Sequence, residues 1–386
     1  MRVAFRLPNP SVWMGGVNYL VNLAKILRSH APDIEPVIFS PPGTGAELAN
    51  DVLAATGRAF VPLRNRTKRD DLFDLLGGSE RPAVEAFRRE RIDLVFESAT
   101  YYGSNIGLPI LSWIPDFQHR HLPHFFPRSR WWARDVGYRL VLANRTDVML
   151  SSQSALNDAN QFYSRIRARL HVVPFAVRVA AAGDGDPAQM RKKYDLPERY
   201  FFLPNQLWVH KNHSVVIEAL GLLRSAGAPL PTVVATGTGF DSRAPDLLER
   251  LQLRIDNLGV GGNFRFLGQI PYPDLRQLLE GAEALINPSL FEGWSTTVEE
   301  ARALGSPMIL SDLPVHREQV GQAADYFDPR SAADCVRALG AAAAREARRR
   351  TPPDAAANER RQQIYAERFR EAAKSAVERY RGRRDA

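Results

Sequence analysis

Two glutamates eight residues apart, Glu292 and Glu300, bracket a stretch that holds Gly293 and three hydroxyl residues, Ser295, Thr296 and Thr297. Carboxylates accept hydrogen bonds from hydroxyls. Ala284-Leu285-Ile286 just before reads as a buried strand, and Val298, Ala301 and Leu304 just after fall at helical spacing, so the segment is strand, short polar loop, helix. A loop of that kind aims free backbone N–H groups and the positive end of a helix at one point, which suits a phosphate or a sugar oxygen. The ligand expected there is both anionic and rich in hydroxyls, and a nucleotide sugar fits. The plainer alternative is an ordinary helix capped by Ser295 or Thr296, with both glutamates favouring its N-terminal dipole.

Other residues with chemistry to offer stand at similar junctions. Lys211 lies in a polar segment between a strand, Phe201-Phe202-Leu203, and a helix around Val215 to Leu223. It is either a ligand cation or a solvated lysine beside a helix start. Gly15-Gly16 follows a first strand, Val3 to Leu7, and precedes a helix with Val17, Leu20, Val21, Ala24 and Leu27 on one face. Glycines there let the backbone approach a ligand closely, though a plain turn explains them equally well. Gly237 follows the strand Thr232 to Ala235, Gln269-Ile270 follow Phe264 to Leu267, and Asp116 and His119 follow Ile110 to Trp113. His119, His121 and His124 match no standard zinc spacing.

The elements that must position these groups alternate along the chain. Further strands are expected at Val37-Ile38-Phe39, Leu94-Val95-Phe96, Asp147 to Leu150, His171 to Pro174 and Met308-Ile309-Leu310. Strands alternating with helices call for parallel sheets covered on both faces. A length of 386 residues exceeds one hydrophobic core, so two such halves are expected, joined at the linker Gly183 to Pro187. An Ala/Arg helix from Ala341 to Arg350 is broken by Pro352-Pro353. A last amphipathic helix near Arg361 to Tyr380 then turns Ile364, Phe369, Ala372, Ala373, Ala376 and Tyr380 to its apolar side.

With 45% hydrophobic and 24% charged residues the composition is that of an ordinary soluble protein. The net charge of +8 admits nucleic acid, an anionic membrane surface or anionic ligands as partners. Nucleic acid is set aside, since no helix-turn-helix, zinc-finger or RNA-binding aromatic motif is present. Cys335, the one cysteine, reads as structural and suits a reducing compartment. Met1 to Phe5 runs directly into a polar segment rather than a signal peptide, and no apolar run nears the length of a membrane span. The expectation is a cytoplasmic protein, peripheral at most on the inner face of a membrane. Phe125, Phe126, Trp131 and Trp132 interleave with Arg128, Arg130 and Arg134. That mixture suits a lipid headgroup zone, or else a Trp pair packed into the core beside solvated arginines.

Pro288-Ser289, Glu292-Gly293, Glu300-Ala301 and Gly305-Ser306-Pro307 together resemble the signature of the retaining glycosyltransferases of family 4. The resemblance spans nearly the whole chain and is densest between about 200 and 330. It implies a GT-B architecture of α/β class, two Rossmann-like doubly wound domains facing across a cleft. The N-terminal acceptor-side domain spans 1–180 and the nucleotide-sugar domain 181–358, with residues 359–386 crossing back to the first. It also implies sugar transfer from a nucleoside-diphosphate sugar to a hydroxyl of a glycan or lipid-linked acceptor, with retention, without a metal or other cofactor, in a setting such as bacterial surface-polysaccharide assembly.

By resemblance Glu292 contacts the donor sugar, Glu300 the ribose, and Lys211 the diphosphate. Gly15, Gly16, Gly237, Gln269, Ile270, Gly293, Trp294, Ser295, Thr296 and Thr297 join the donor site, while Asp116 and His119 line the acceptor side. Two positions depart from the pattern. Gln206 stands where relatives carry an arginine that clamps the diphosphate with the lysine, and an amide brings no charge. Pro115 stands where relatives carry a histidine before the aspartate. These departures keep a non-catalytic sugar-nucleotide-binding protein in view, beside a nucleotide-sugar epimerase or a glycosyl phosphorylase of the same architecture.

Overall fold

Phe201, Phe202 and Leu203 are all buried, but alternate residues enter different cores: Phe201 and Leu203 pack with Val216 and Ile286, and Phe202 with Leu278 and Val298. A strand buried on both faces is the mark of a parallel sheet layered with helices on either side. The computed structural model describes residues 1–64, 80–98, 101–103, 106–179, 187–239, 241, 243–344 and 353–384. Most of the expected linker, 183–186, and the end of the Ala/Arg helix, 345–350, lie outside the described residues.

The chain divides into two compact units. Unit 1 comprises Met1–Phe117, Ser129–Arg178 and Glu359–Ala386. Its seven strands are β1 (Arg2–Arg6), β2 (Glu35–Ser40), β3 (Val61–Pro62), β4 (Leu94–Ser98), β5 (Ile110–Ile114), β6 (Asp147–Leu150) and β7 (Arg169–Val172). They pair in parallel in the order β3-β2-β1-β4-β5-β6-β7. On one face Ala4 packs with Val37, Phe39 and Phe87; beside β1 and β4, the Phe369 ring lies 5.9 Å from Phe5 and 5.5 Å from Phe96.

Unit 2 comprises Gln118–Arg128 and Val179–Asn358. Its six strands are β8 (Phe201–Leu203), β9 (Val233–Ala235), β10 (Phe264–Phe266), β11 (Leu285–Asn287), β12 (Met308–Ser311) and β13 (Asp325–Phe327). They too pair in parallel, in the order β10-β9-β8-β11-β12-β13. Both strand orders reverse beside a central strand, and in such sheets ligands bind beyond the carboxyl ends of the strands at that switch point. In unit 2 the switch falls between β8 and β11, the strands that lead into Lys211 and Glu292.

Four differences from the sequence reading have physical causes. β3 and β13 were not expected: one is two residues with a proline at the sheet edge, and the other opens on Asp325. The first long helix runs Pro10–His30, so Gly15 and Gly16 lie within it rather than in a loop ahead of it. Proline suits a first helical turn, because its missing N–H has no partner to lose there. The last helix, Ala355–Arg384, buries Tyr365, Ala366 and Val377 together with Phe369 and Ala376, and leaves Ile364 outward. Phe369, Ala372, Ala373 and Ala376 are buried as expected, whereas Tyr365 takes the place expected for Ile364 and Tyr380 is only half-buried. Finally, Gln118–Arg128 groups with unit 2, so the first unit is not the unbroken span 1–180.

Candidate functional site

The carboxyl end of β11 is Asn287, whose side chain is completely buried and organises the turn that follows. Its Nδ2 donates to Ser295 Oγ at 2.9 Å and lies 3.3 Å from Thr297 Oγ1 and 3.5 Å from Glu292 Oε1. Its Oδ1 accepts from Ser289 Oγ at 2.7 Å and from Ser289 N at 3.3 Å. The Ser289 hydroxyl also lies 2.7 Å from Glu292 Oε1, and its one hydrogen serves one acceptor at a time. One asparagine thus folds residues 287–297 back on themselves and fixes where Glu292 points.

Lys211 meets Glu292 there, Nζ to Oε1 at 2.6 Å, with side chains only 14% and 9% exposed. At that burial the pair is more than a screened surface contact. Burial pushes the Glu292 carboxyl up, but the Lys211 ammonium and then His316 outweigh it and hold the group below the usual carboxylate range. Lys211 ends a short 3₁₀ turn, Val209–Lys211, that is pinned on several sides. Val209 N donates to Asp241 Oδ2 at 3.0 Å, and Leu290 N to the His210 carbonyl at 2.8 Å. Asn212 Nδ2 reaches the carbonyls of Pro288 at 3.1 Å and Pro329 at 2.7 Å. Asn212 sits at φ +55°, a left-handed conformation that asparagine tolerates better than most residues.

Glu300 is buried in the helix Thr296–Ala303, where it accepts from the Tyr272 hydroxyl at 2.9 Å. Burial pushes its carboxyl up to about 7, and the tyrosine hydrogen bond only partly opposes that. Gly305, at φ +64°, ends this helix through Ser306 N donating to the Ala301 carbonyl at 2.9 Å.

The start of the helix differs from expectation. Ser295 occupies the cap position, yet its side chain makes no capping bond, and its Oγ is taken by Asn287. Its backbone is clamped by Gln319 from the helix Pro314–Val320. Ser295 N donates to Gln319 Oε1 at 3.3 Å, while Gln319 Nε2 donates to the Ser295 carbonyl at 2.8 Å and to Glu299 Oε1 at 3.0 Å. The free N–H expected at Ser295 is therefore already engaged. Gly293, Trp294 and Thr297 are half-buried, and Thr296 is exposed. One turn before Gln319, His316 Nδ1 lies 2.8 Å from the Ser311 carbonyl, and its buried Nε2 has no partner among the described residues.

Gln206 is a brace between loops. Its Oε1 accepts from Thr238 N at 2.7 Å and Thr238 Oγ1 at 2.5 Å. Between them Gly237 holds φ +132°, where an added Cβ would stand 2.7 Å from the Asn205 carbonyl and 2.8 Å from Gln206 Cα. Only glycine fits. Gly237 N donates to the Gly268 carbonyl at 2.9 Å, which brings Gln269 and Ile270 beside the same edge of the sheet.

Asp116 lies in unit 1, where its Oδ1 accepts from Arg134 Nη2 at 2.9 Å. His119 is buried in the segment 118–128 of unit 2, its ring 6.4 Å from Phe126. The same segment places His121 5.0 Å from the ring of Phe291, next to Glu292. Arg243 fastens it: the guanidinium binds Asp241 at 2.9 Å, Gln118 Oε1 at 3.0 Å and His210 Nδ1 at 3.1 Å. Gly15 and Gly16 lie in the helix Pro10–His30 of unit 1. Among the described residues no group of three or more His, Cys, Asp or Glu side chains could hold a metal ion.

Of the residues the sequence singled out, Lys211 and Glu292 touch, while Glu300 is buried in the following helix with Tyr272 as its partner; Asn287, Gln319, His316 and Tyr272 come from the fold. Asn287 carried a faint signal, a polar residue ending an apolar strand; Gln319, 24 positions from Ser295, carried none.

Residues 188–359, the span that holds this whole constellation, match the family model for glycosyl transferases, group 1. Over 189 residues the chain is 27% identical to a D-inositol 3-phosphate glycosyltransferase of Jonesia denitrificans, covering 47% of this chain and 44% of that protein. It is 29% identical over 133 residues to the O-antigen chain mannosyltransferase RfbU of Salmonella typhimurium, covering 34% and 35%. The chain thus spans about half or less of the length of these curated relatives. Among solved structures, Anabaena Alr3699/HepE in complex with UDP-glucose superposes with a TM-score of 0.68 at 16% identity, covering 99% of this chain and 100% of that one. A glycosyltransferase from Rickettsia africae does so with a TM-score of 0.67 at 15% identity, over 98% and 96%. The fold is GT-B, two Rossmann-like parallel-sheet domains, and its second half is similar to group 1 glycosyltransferases.

Proposed function

We propose that the chain is a retaining glycosyltransferase, moving a sugar from a nucleoside-diphosphate sugar to a hydroxyl of a glycan or lipid-linked acceptor in bacterial surface-polysaccharide assembly. The observation that carries this reading is the buried 2.6 Å contact of Lys211 with Glu292 at the switch point of unit 2, on the same strand-loop-helix as Glu300. The group 1 family match, and a GT-B neighbour that holds UDP-glucose, support it.

In this reading Lys211 compensates the diphosphate, Glu292 orients the sugar hydroxyls and Glu300 accepts from the ribose. The bond from the anomeric carbon to the phosphate oxygen breaks as the acceptor oxygen bonds the same face. The acceptor proton passes to the departing phosphate. The protein's task is electrostatic: a cation fixed by the turn 209–211 stabilises charge that grows on the leaving group. Gln206 adds no charge there, so Lys211 carries that work without the usual arginine, and no metal is required. Asp116 and His119 serve the acceptor side. The helix Arg128–Asn144 is a docking surface for an anionic membrane that would hold a lipid-linked acceptor.

Replacing Lys211 or Glu292 by alanine lowers sugar transfer by roughly 10²-fold or more, as loss of a transition-state contact does. Circular dichroism shows both variants folded. Nucleoside-diphosphate release that depends on an acceptor separates transfer from epimerase or phosphorylase action. Donor binding without turnover across a broad acceptor panel favours the non-catalytic alternative, and near wild-type turnover in either variant refutes the assignment.

A further inference from the structure

Two short contacts fall on one atom: Glu292 Oε1 takes Lys211 Nζ at 2.6 Å and Ser289 Oγ at 2.7 Å, with Asn287 Nδ2 more distant at 3.5 Å. Lys211 has no other carboxylate partner among the described residues. A diphosphate that engages Lys211 therefore competes with Glu292 for the same ammonium. Removing the cation from a buried carboxylate leaves an uncompensated charge, which is costly unless a new donor replaces it. An intact nucleotide sugar brings that donor, because its hydroxyls lie one group beyond the phosphates. A nucleoside diphosphate alone does not.

Resting on the donor-site reading above, we infer that Glu292 is a specificity determinant that discriminates against the nucleoside-diphosphate product. It does so by holding Lys211 back from any diphosphate that carries no sugar. The device favours product departure: once the sugar leaves, Glu292 loses its hydroxyl partners and reclaims the ammonium. Burial sharpens the competition, since neither side chain can turn to solvent for compensation. In this structure Ser289 at 2.7 Å and Asn287 at 3.5 Å hold Glu292 Oε1 on the Lys211 side.

The test is calorimetric binding of UDP, GDP and ADP, each without sugar, to the full chain and to four variants: Glu292→Gln, Glu292→Asp, Lys211→Met and the double variant Glu292→Gln with Lys211→Met. Glu292→Gln tightens binding of the diphosphate that the wild type takes by about tenfold, the worth of one charge-assisted hydrogen bond. In the Lys211→Met background the same substitution gains nothing, because the benefit passes through the ammonium. Glu292→Asp keeps the charge but shortens its reach; it too tightens binding, and stands in if the glutamine variant does not fold. Binding unchanged or weakened in both Glu292 variants overturns the inference while leaving the donor site intact. A gain that persists without Lys211 reduces it to bulk loss of negative charge and also overturns it. If none of the three diphosphates binds any of these proteins, the donor-site reading fails and takes the inference with it.

Discussion

Glu292 and Glu300 are chemically identical and only eight residues apart, yet their surroundings push them in opposite directions. Lys211 outweighs burial at Glu292, whereas Glu300 has only a tyrosine hydroxyl against it and rises to about 7. The folded value of Glu300 lies above its unfolded one of about 4.3, so the folded chain keeps the proton longer. Its contribution to stability is therefore full below about pH 4 and is lost as pH climbs through 7. Urea midpoints at about pH 5 and about pH 8 measure this: wild type loses on the order of 3 kcal/mol relative to Glu300→Gln over that interval. Parallel curves for the two proteins contradict it. Under the proposed function, nucleotide-sugar affinity is predicted to move the other way, strengthening as Glu300 ionises and becomes a pure acceptor for ribose hydroxyls. The sequence singled out the two acids and the lysine through a resemblance, since their types and spacing alone also fitted a capped helix and a solvated lysine. Asn287, Gln319 and Tyr272 were not singled out, since an amide or phenol gains meaning only from partners that the fold brings to it.

At the scale of elements, strands buried on both faces announced themselves as short apolar runs, and β8 was read to the residue. Edge strands β3 and β13 lack that signal, because one side of an edge needs no apolar cover. The glycines at 15 and 16 were misplaced because Pro10 starts a helix earlier than the periodic pattern of Val17 and Leu20 suggested. In the helix Arg128–Asn144, Trp132 is 59% and Val136 40% exposed, one turn apart, among exposed Arg128, Arg130 and Arg139. A core packing of Trp132 is thereby excluded, and an apolar ridge flanked by guanidinium groups suits anionic headgroups. In liposome flotation the chain rises with anionic vesicles and not with neutral ones, and Trp132→Ala reduces the floating fraction severalfold. Failure to float with either kind removes the membrane as a partner. Among the described residues no helix is long and apolar enough to cross a bilayer.

At the scale of the whole molecule, the chain returns late to complete an early core. Residues from Glu359 onward group with unit 1, where Phe369 packs at a tilt against Phe5 and Phe96, and Lys374 pairs with Asp33 at 3.2 Å. Phe369→Ala costs about 3–5 kcal/mol in unfolding free energy through the cavity it opens. Differential unfolding places that loss in unit 1, and a shift under about 1 kcal/mol contradicts this packing. That two parallel sheets would form was legible from alternating strands and helices. That residues 118–128 leave the first unit for the second was not, because the partners that hold them, such as Arg243 and Phe291, lie far along the chain. The central claim is that one ammonium and two acids in unit 2 surround an activated sugar. A crystal structure of the chain with a bound nucleotide sugar tests it most directly. The account predicts diphosphate oxygens about 3 Å from Lys211 Nζ, sugar hydroxyls on Glu292 and ribose hydroxyls on Glu300. A nucleotide bound elsewhere, with the Lys211–Glu292 contact intact, would contradict it.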